Sequence, residues 1–509
     1  METKTAAIEM RNITKRFGPV LANDKVWLNI YRGEILALLG ENGSGKTTLM
    51  NMLSGIYFPD EGEIKIDGKE VVIRSPKDAF DNGIGMIHQH FKLVDVLTAA
   101  ENIVLGLPGK LDLKAASAKI REICDKYGFS VDPAQKIYDM SVSQKQTVEI
   151  VKVLYRGADI LILDEPTAVL TPQETDKLFA VLRNMRNDGK AIVIITHKMH
   201  EVEALSDRVA ILRHGQFIGD MLTAHTNAQE MTNMMVGHAV SLNIERPDPV
   251  DPKPRIEVKG LTVRSVDGIV KLDDVSFTAN SGEILGIAGI SGCGQKELLE
   301  AIAGLQTVES GSISYIEDDG SREELIGKDP LSIAELGVSL SFVPEDRLGM
   351  GLVGNMNLAD NMMLRSFRRG KSIFTDRRSP RALAESVVQE LSVSTPSVDT
   401  PVRRLSGGNV QKVLVGREIA SAPTVLLTAY AVRGLDIHSS YTIYDLINRQ
   451  KKAGVAVIFV GEDLDVRLEL CDRILVLCGG KVSGIVSGRG AEKREVGMMM
   501  TKLGGQSHE

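Results

Sequence analysis

The sequence predicts an α/β protein that consists of two tandem domains with the same fold. Three observations support this prediction. The length of 509 residues is more than one hydrophobic core usually supports. The same ordered set of motifs occurs twice, 249 residues apart when measured from Gly40 to Gly289. Short apolar runs alternate with helical stretches in both halves, which is typical of a largely parallel sheet whose strands are buried on both faces.

The strand assignments come from three apolar runs in each half. In the first half these runs are EILALL, ILIL and AIVIIT, and in the second half they are EILGIA, VLL and VAVIFV. In the later part of each half, the motifs are separated by the same numbers of residues, which indicates an internal duplication. The matched intervals are Ser141 to Asp164 and Ser406 to Ala429, both 23 residues, and Asp164 to His197 and Ala429 to Glu462, both 33 residues.

A proline-rich segment separates the two halves. Residues 241–255, with the sequence SLNIERPDPVDPKPR, hold prolines at positions 247, 249, 252 and 254. This composition prevents helix formation and favours an extended tether. We therefore predict a first domain over residues 1–240, a linker over 241–255 and a second domain over 256–509.

The bulk composition is that of an ordinary globular protein, with 43% hydrophobic and 25% charged residues. No uninterrupted apolar run approaches the ~18 residues that a membrane span needs. A net charge of -7 and an aromatic content of 4% provide neither a basic stripe nor a stacking platform. We therefore expect a chain that does not cross a bilayer unaided and does not bind nucleic acid.

The amino-terminal segment METKTAAIEMRNITKRF lacks the apolar core and small residues of a signal peptide, which favours a cytoplasmic location. The four cysteines are Cys124, Cys293, Cys471 and Cys478, and no two of them have CxxC spacing. This pattern argues against zinc and against a disulfide framework. We expect reduced thiols with a structural role.

A glycine-rich segment, GENGSGKTT, follows the predicted strand that ends at Leu39 and matches the phosphate-binding loop pattern. Its glycines let backbone N–H groups face phosphate oxygens, and the following helix presents its positive end to them. Lys46 is predicted to reach the β and γ phosphates, and Thr47 to bind Mg²⁺. The predicted ATP-binding residues here are Gly40, Asn42, Gly43, Ser44, Gly45, Lys46, Thr47 and Thr48.

Two carboxylates end the next apolar run of the first half. Asp164 is placed to hold the metal shell, and Glu165 to orient and deprotonate the attacking water. A general base of this kind typically contributes about 10²–10⁴ in rate. His197, at the end of a further predicted strand, is expected to contact the γ phosphate and to position Glu165 and the water. The predicted catalytic residues are thus Glu165, His197 and Lys46.

Two further residues are predicted to touch the nucleotide. Gln89, in the segment MIHQHF, is expected to sense both the metal and the γ phosphate, whereas its neighbours His88 and His90 are interpreted as structural. Phe17 lies 29 residues before Lys46 and is a candidate for stacking on adenine, with a buried core phenylalanine as the alternative. The predicted metal ligands are Thr47, Gln89 and Asp164.

These motifs resemble the nucleotide-binding domains of ABC ATPases, and the resemblance covers nearly the whole chain, twice. In that family each domain is a P-loop NTPase core with a helical subdomain. Two domains form a head-to-tail sandwich, with ATP between the phosphate loop of one and the LSGGQ-type signature of the other. Only the second half keeps this signature, as LSGGN, while the first half has MSVSQ. The resemblance implies an intramolecular sandwich in which Ser406, Gly407 and Gly408 complete the site of Lys46.

The second half has lost the residues that hydrolysis requires. The opposing signature carries side chains at positions 142 and 143, where a close approach to phosphate favours glycine. We therefore predict one hydrolytic site and one degenerate site that hydrolyses little or no ATP. The replacements are Gln295 and Lys296 at the lysine and hydroxyl positions, Ala429 and Tyr430 at the two carboxylate positions, Glu462 at the histidine position, and Ser265 at the adenine-stacking position.

The segments HQHF, AVLTPQE and FVPEDR resemble the importer subunits for purine nucleosides more closely than those for ribose-type sugars. This resemblance implies two integral-membrane permease subunits and an extracytoplasmic, often lipid-anchored, substrate-binding protein. It also implies a location on the cytoplasmic face of the membrane, with grooves near residues 89–105 and 345–363 that receive permease helices. The sequence departs from the group at MSVSQ and at TAYAV, both on the degenerate side.

Two alternatives remain at this point. The first is the same role in a ribose-type sugar importer. The second is a soluble tandem ABC ATPase that acts on the ribosome or on damaged DNA. Ribosome-acting members usually have a long charged helical linker and two competent sites, and the DNA-repair type has zinc-binding cysteines. This chain instead has a short proline-rich segment, one degenerate site and no zinc spacing.

Overall fold

The computed structural model describes residues 6–88, 91–109, 112–168, 170–196, 198–237, 244–265, 267–290, 292–335, 340–344, 346–367 and 375–502. The chain forms two compact units, Met1–Ser241 and Leu242–Glu509, which we call the first unit and the second unit. Within the described ranges, no helix has both the length and the apolar character of a bilayer span.

The first unit contains a four-stranded antiparallel sheet and a six-stranded sheet. In the six-stranded sheet every neighbouring pair is parallel except the last one at one edge. The strands are β1 (Ala6–Phe17), β2 (Val20–Tyr31), β3 (Ile35–Leu39), β4 (Glu61–Ile66), β5 (Lys69–Val71), β6 (Ile84–Ile87), β7 (Ile160–Asp164), β8 (Ala191–Ile195), β9 (Arg208–Arg213) and β10 (Gln216–Leu222). The strand orders are β2-β1-β4-β5 and β10-β9-β3-β8-β7-β6.

The helices of the first unit pack on both faces of the six-stranded sheet and in a separate small cluster. That cluster has its own core, which includes Ile103, Ile120 and Val148, and it corresponds to the helical subdomain predicted from the resemblance. The helices are α1 (Lys46–Leu53), α2 (Pro76–Asp81), α3 (Ala99–Val104), α4 (Leu113–Tyr127), α5 (Val142–Tyr155), α6 (Pro172–Asn187), α7 (Met199–Leu205) and α8 (Ala228–Val236).

The central strands form because their side chains are apolar on both faces. All five residues of β3, of β7 and of β8 are buried, including Asp164 at the end of β7. Helices cover both faces of this part of the sheet, so a continuous run of Ile, Leu and Val is favoured over an alternating pattern. The apolar runs therefore predicted these strands correctly.

The second unit repeats the architecture of the first, with its own four-stranded and six-stranded sheets. The strands are β11 (Pro254–Arg264), β12 (Val270–Asn280), β13 (Ile284–Ala288), β14 (Ser310–Ile316), β15 (Arg322–Glu324), β16 (Leu340–Val343), β17 (Val425–Ala429), β18 (Ala456–Val460), β19 (Arg473–Cys478) and β20 (Lys481–Ser487). Their orders are β12-β11-β14-β15 and β16-β17-β18-β13-β19-β20, which match those of the first unit strand for strand. The α/β fold class with two tandem domains is confirmed.

The helices of the second unit also follow the pattern of the first. One difference is a single turn of π-helix at Arg347–Gly351, directly after β16. The helices are α9 (Gln295–Ile302), α10 (Pro330–Glu335), α11 (Leu358–Met363), α12 (Arg378–Glu390), α13 (Gly407–Ala420), α14 (Ile437–Lys452), α15 (Leu464–Leu470) and α16 (Lys493–Thr501).

The proline-rich segment is hydrogen-bonded to the second unit from residue 245 onward. Nδ2 of Asn448, on α14, donates to the carbonyl oxygen of Glu245 at 2.6 Å. The ammonium group of Lys451 donates to the carbonyl oxygen of Pro247 and pairs with Asp472 at 2.6 Å. Just before these contacts, Ile244 is buried in the core of the same unit. These residues thus pack as part of the second unit.

Candidate functional site

The candidate site of the first unit lies at the carboxyl ends of β3, β7 and β8. These strands are neighbours in the order β3-β8-β7, so the residues that follow them lie along one edge of the sheet. Ligands of open α/β sheets bind at this edge. The glycine-rich loop follows β3, Asp164 and Glu165 are at the end of β7, and Thr196 follows β8.

The geometry of the glycine-rich loop suits an anion. Gly45, with φ of 95°, is the residue that precedes α1. A Cβ atom at this position would lie 2.3 Å from the carbonyl oxygen of Ala22, so only glycine fits. No side chain caps the amino end of α1, and its first turn contains no acidic residue. Free N–H groups at the positive end of a helix attract phosphate.

Lys46 is folded back onto this loop. Its Nζ atom donates to the carbonyl oxygens of Gly40 at 2.8 Å and Glu41 at 2.9 Å. The side chain is buried, with only 8% of the residue exposed. Burial lowers the pKa of Lys46, and the nearby carboxylates of Glu165 and Asp164 oppose that shift. The ammonium group is therefore poised where a phosphate would replace the loop carbonyls.

Asp164 and Thr47 provide two adjacent oxygen atoms of the kind that Mg²⁺ prefers. Thr47 Oγ1 donates to Asp164 Oδ2 at 3.3 Å. Burial, and then the charge of Glu165, raise the pKa of Asp164 to about 6, while the Thr47 hydrogen bond and Lys46 act in the opposite direction. Negative charge is thus crowded at this point, and a bound cation would relieve it. The donor set fits a magnesium ion.

Glu165 adopts a left-handed backbone conformation, with φ of 47°. Its N–H donates to the carbonyl oxygen of Ile195 at 2.9 Å, which ties the turn after β7 to the end of β8. Tyr430, at the same position of the second unit, has φ of 53°, and its N–H donates to Val460 at 2.8 Å. The backbone conformation of the turn is therefore common to both units, although its side chains differ.

Three predicted residues require separate comment. Gln89 and His197 lie outside the described residues, so their proposed roles stay predictions. Phe17 is 41% exposed at the end of β1, which is inconsistent with a buried core residue. Its ring lies 5.1 Å from that of Tyr57 in an edge-to-face arrangement, and the Lys15 ammonium group lies 5.6 Å from the Phe17 ring centroid.

The corresponding loop of the second unit is preserved in shape but not in charge. Gln295 is buried like Lys46, and its Nε2 donates to the carbonyl oxygen of Ile290 at 3.1 Å. Gly294, with φ of 96°, precedes α9 in the same way as Gly45 precedes α1. The amide thus replaces the loop contact of the lysine without its positive charge. Lys296 is half exposed and lies 3.8 Å from Glu300 on its own helix.

In the second unit, the side chains at the remaining catalytic positions do not supply the groups that ATP hydrolysis needs. Glu462, at the position of His197, pairs with Arg433 at 2.8 Å. Glu297 adds a negative charge to the first turn of α9, where it opposes an incoming phosphate. Ala429 is buried and supplies no oxygen ligand. This edge of the second sheet therefore lacks the lysine and the two carboxylates that the first unit provides at Lys46, Asp164 and Glu165.

The signature segment of the second unit begins α13. The Ser406 side chain accepts a hydrogen bond from the N–H of Asn409, and Gly407 and Gly408 form the first turn of the helix. Arg347 donates from Nη1 to the carbonyl oxygen of Gly407 at 3.1 Å and from Nη2 to that of Arg433. The signature is therefore held to the turn after β17 by an arginine of the FVPEDR segment.

The sequence analysis missed a buried polar cluster beside Glu165. Glu201, on α7, accepts hydrogen bonds from Thr167 at 2.5 Å and Thr196 at 3.2 Å. Lys198 pairs with the same carboxylate at 3.1 Å. A signal was present in the sequence, because all four positions change character in the second half. The residues 265 positions later are Val432, Gly461, Asp463 and Val466.

No metal-binding group of three His, Cys, Asp or Glu side chains occurs among the described residues. All four cysteines are free thiols, and three of them, Cys124, Cys293 and Cys471, are buried. Burial raises the pKa of the Cys471 thiol to about 12. A thiol with such a pKa stays protonated near neutral pH, as a structural side chain would.

A solved structure shares the fold over most of this chain. An archaeal ribosome recycling factor, solved with a ribosomal stalk protein, superposes with a TM-score of 0.60 at 16% sequence identity. The match covers 91% of this chain and 87% of that chain. At this level of identity the likeness shows the fold alone.

Curated relatives extend over nearly the whole chain. The nucleoside import ATP-binding protein NupA of Lactococcus lactis subsp. cremoris is 42% identical over 99% of this chain and 99% of its own length. The guanosine import ATP-binding protein NupO of Bacillus subtilis is 40% identical, covering 97% of each chain. A glucose import ATP-binding protein of Haloferax volcanii is 39% identical over 98% of this chain and 96% of its own.

Both halves also match a known protein family, described as ABC transporter, over residues 23–168 and 272–428. ATP-binding proteins of this family bind ATP and hydrolyse it in step with transport. The phosphate loop with its uncapped helix end, and the adjacent Asp164 and Glu165, are the parts that such chemistry needs. The chain belongs to the ABC transporter family and is one of its ATPases.

Proposed function

We propose that this protein is the ATP-binding subunit of an importer that takes up nucleosides and hydrolyses ATP at a single composite site. The main support is the complementary loss of motifs between the two units. The first unit keeps Lys46, Asp164 and Glu165, while the second keeps the LSGGN signature, which begins at Leu405. Each unit lacks what the other has, as expected if both contribute to one working site.

In the proposed site each side chain has one task. Lys46 leaves the loop carbonyls and neutralises charge on the β and γ phosphates. Glu165 accepts a proton from the attacking water, and His197 and Gln89 orient the water and the γ phosphate. Ser406 and the backbone of Gly407 and Gly408 are proposed to approach the γ phosphate from the opposite side.

Thr47 and Asp164 are proposed to hold Mg²⁺, together with Gln89. Such a cation, held by these residues, would offset the negative charge that develops on the phosphate during hydrolysis. The support is the pairing of a hydroxyl and a crowded carboxylate described above. Phe17, with Tyr57 at its edge, is proposed to stack on the adenine ring.

The coupling to transport is proposed to run through two permease subunits on the cytoplasmic face of the membrane. Exposed apolar side chains occur in both segments that the sequence analysis assigned to permease contact. They are Val94, Val96 and Leu105 in the first unit, and Leu348, Met350, Val353 and Met356 in the second. Closure of the two units around ATP, and reopening after hydrolysis, would move the permease helices docked there.

Nucleosides are the proposed cargo, delivered by an extracytoplasmic substrate-binding protein of the same system. Two of the relatives described above carry names that specify nucleoside or guanosine import, and HQHF and AVLTPQE point to the same group. A sugar is the second candidate, because a glucose import protein is almost as similar. The ATPase subunit contacts permease and nucleotide, so its structure does not select the solute.

The test is reconstitution of the chain with its permeases and binding protein in liposomes, followed by uptake of labelled guanosine, adenosine and ribose. We expect ATP-dependent uptake of the nucleosides, and none of ribose. A thermal-shift screen of the binding protein with the same solutes provides a second measurement. Uptake of ribose alone would replace the nucleoside assignment by the sugar alternative. ATP hydrolysis with no uptake of nucleoside or ribose would reject both assignments.

A further inference from the structure

A buried polar cluster in the first unit has no counterpart in the second. It consists of Thr167, Thr196, Lys198 and Glu201, which we call the Glu201 cluster. Only 4% of Glu201 is exposed. Its Oε1 accepts from Thr167 at 2.5 Å and pairs with Lys198 at 3.1 Å, and its Oε2 accepts from Thr196 at 3.2 Å. The carboxylate therefore joins two segments of backbone, the turn after β7 and residues 196–201.

The segments that it joins carry the proposed catalytic residues. Thr167 follows Glu165 by two positions, and Thr196 and Lys198 flank position 197. The Lys198 ammonium group also donates to the carbonyl oxygen of Thr167 at 3.2 Å, and the Lys198 N–H donates to Thr196 Oγ1 at 3.1 Å. Any movement of the turn after β7 relative to the segment after β8 must break several of these bonds.

The second unit shows that the fold does not require this cluster. Val432 and Val466 stand in place of Thr167 and Glu201, and both pack against the hydrophobic core. Asp463, in place of Lys198, instead caps α15 by accepting from the N–H of Asp465. Tyr430 nevertheless keeps the left-handed conformation that Glu165 has. A different buried group, Arg467, lies near Tyr430 and Asp463 in this unit. The turn thus forms without the Glu201 cluster.

Burying a carboxylate and two hydroxyls beside a partly exposed ammonium group costs desolvation free energy that two valines would not incur. The cluster is present in the unit that keeps the catalytic carboxylates and absent from the unit that has lost them. A purely structural role does not explain that distribution. A role in fixing the distance between Glu165 and the segment after β8 explains the distribution. A general base must keep its position relative to the attacking water within narrow limits.

We propose that Glu201 is a positioning residue for ATP hydrolysis, which acts through Thr167 and Thr196 to hold Glu165 in place. This inference rests on the proposed assignment of hydrolysis to the first unit. Glu201 contacts neither nucleotide nor water in the reaction. Its loss should reduce kcat and leave the KM for ATP and the affinity for ATP nearly unchanged.

The test first compares the full chain with four single variants. Glu201→Gln and Thr167→Val each remove part of the cluster, and we expect kcat to fall by about 100-fold with KM changed by less than about 3-fold. Thr167→Ser keeps the hydroxyl and should retain near-normal kcat. Val432→Thr, the matched change in the second unit, should have no effect on kcat.

The decisive variant combines Thr167→Val with Glu201→Val, which reproduces the apolar pair of the second unit. We expect its melting temperature to equal or exceed that of the natural chain while kcat stays about 100-fold reduced. Recovery of both melting temperature and kcat would overturn the proposal and leave the cluster a purely structural role. A low kcat with an equally large rise in KM would also overturn it.

Failure of this inference is distinguishable from failure of the proposed function. If Glu165→Gln removes hydrolysis and Glu201→Gln does not lower kcat, the single catalytic site stands and the positioning role is rejected. If Glu165→Gln leaves hydrolysis intact, the assignment of the first unit as catalytic is itself wrong, and the positioning role is rejected with it.

Discussion

Thr47 and Asp164 are joined by a hydrogen bond of 3.3 Å, although they are 117 residues apart in the chain. The contact brings the first turn of α1 to the end of β7, two strands away in the sheet. Hydroxyl and carboxylate oxygens placed side by side are ligands of the kind that a small hard cation prefers.

We predict that Thr47→Val raises the Mg²⁺ concentration needed for half-maximal ATP hydrolysis by at least about 10-fold. The substitution keeps the size of the side chain and removes its oxygen. Thr47→Ser, which restores the oxygen, should return the midpoint to near its original value. The measurement is hydrolysis rate against Mg²⁺ at fixed ATP, and an unchanged midpoint for Thr47→Val would remove Thr47 from the metal site.

Glu165→Gln should lower kcat by about 10²–10⁴, because the amide cannot accept the proton of the attacking water. Tyr430→Ala, at the matched position of the second unit, should leave kcat within about 2-fold, since no general base is removed. Both rates are measured in the complex with permeases. Equal losses in the two variants would contradict a single working site.

Gly407→Val is predicted to reduce hydrolysis by about 100-fold or more, since it blocks the approach of the signature to phosphate. The first unit carries Val142 at the equivalent position of α5, so the helix tolerates valine and the variant should fold. Val142→Gly is the reverse change and should not alter the rate. If Gly407→Val kept normal activity, the second unit would not complete the site of Lys46.

Gln295→Lys should destabilise the second unit by about 1–3 kcal/mol and should not create a second hydrolytic site. The introduced ammonium group would be buried where Ala429 supplies no carboxylate, unlike Lys46 beside Asp164. Adding Ala429→Asp should recover part of the loss. Denaturant unfolding of the full chain measures the difference, and a gain of stability for Gln295→Lys alone would contradict the electrostatic argument.

Much of the fold was predictable because it depends on local patterns. The apolar runs that became β3, β7 and β8 are buried on both faces, and the glycine-rich loop has few alternative conformations. The paired four-stranded sheets were not predicted, because their strands alternate or contain irregularities and are only partly buried. Their register depends on long-range pairing rather than on sequence periodicity.

The candidate site was predictable as a set of motifs but not as a network. Lys46 and Asp164 could be named from the order of motifs along the chain. The Glu201 cluster was signalled only by the change of its four positions between the halves, because Glu201 lies on a short helix whose charged residues look like those of a solvated surface. Its burial arises from the packing of α7 against the turns after β7 and β8, which no single segment encodes.

The contacts of residues 244–248 bear on how the second unit should be prepared by itself. A fragment that starts at residue 256 would discard Ile244 from its core and remove the carbonyl that Lys451 binds. The exposed apolar surface and the partly desolvated ammonium group would then favour aggregation. A recombinant carboxyl-terminal half should therefore begin at residue 244, with the prolines retained as part of its own packing.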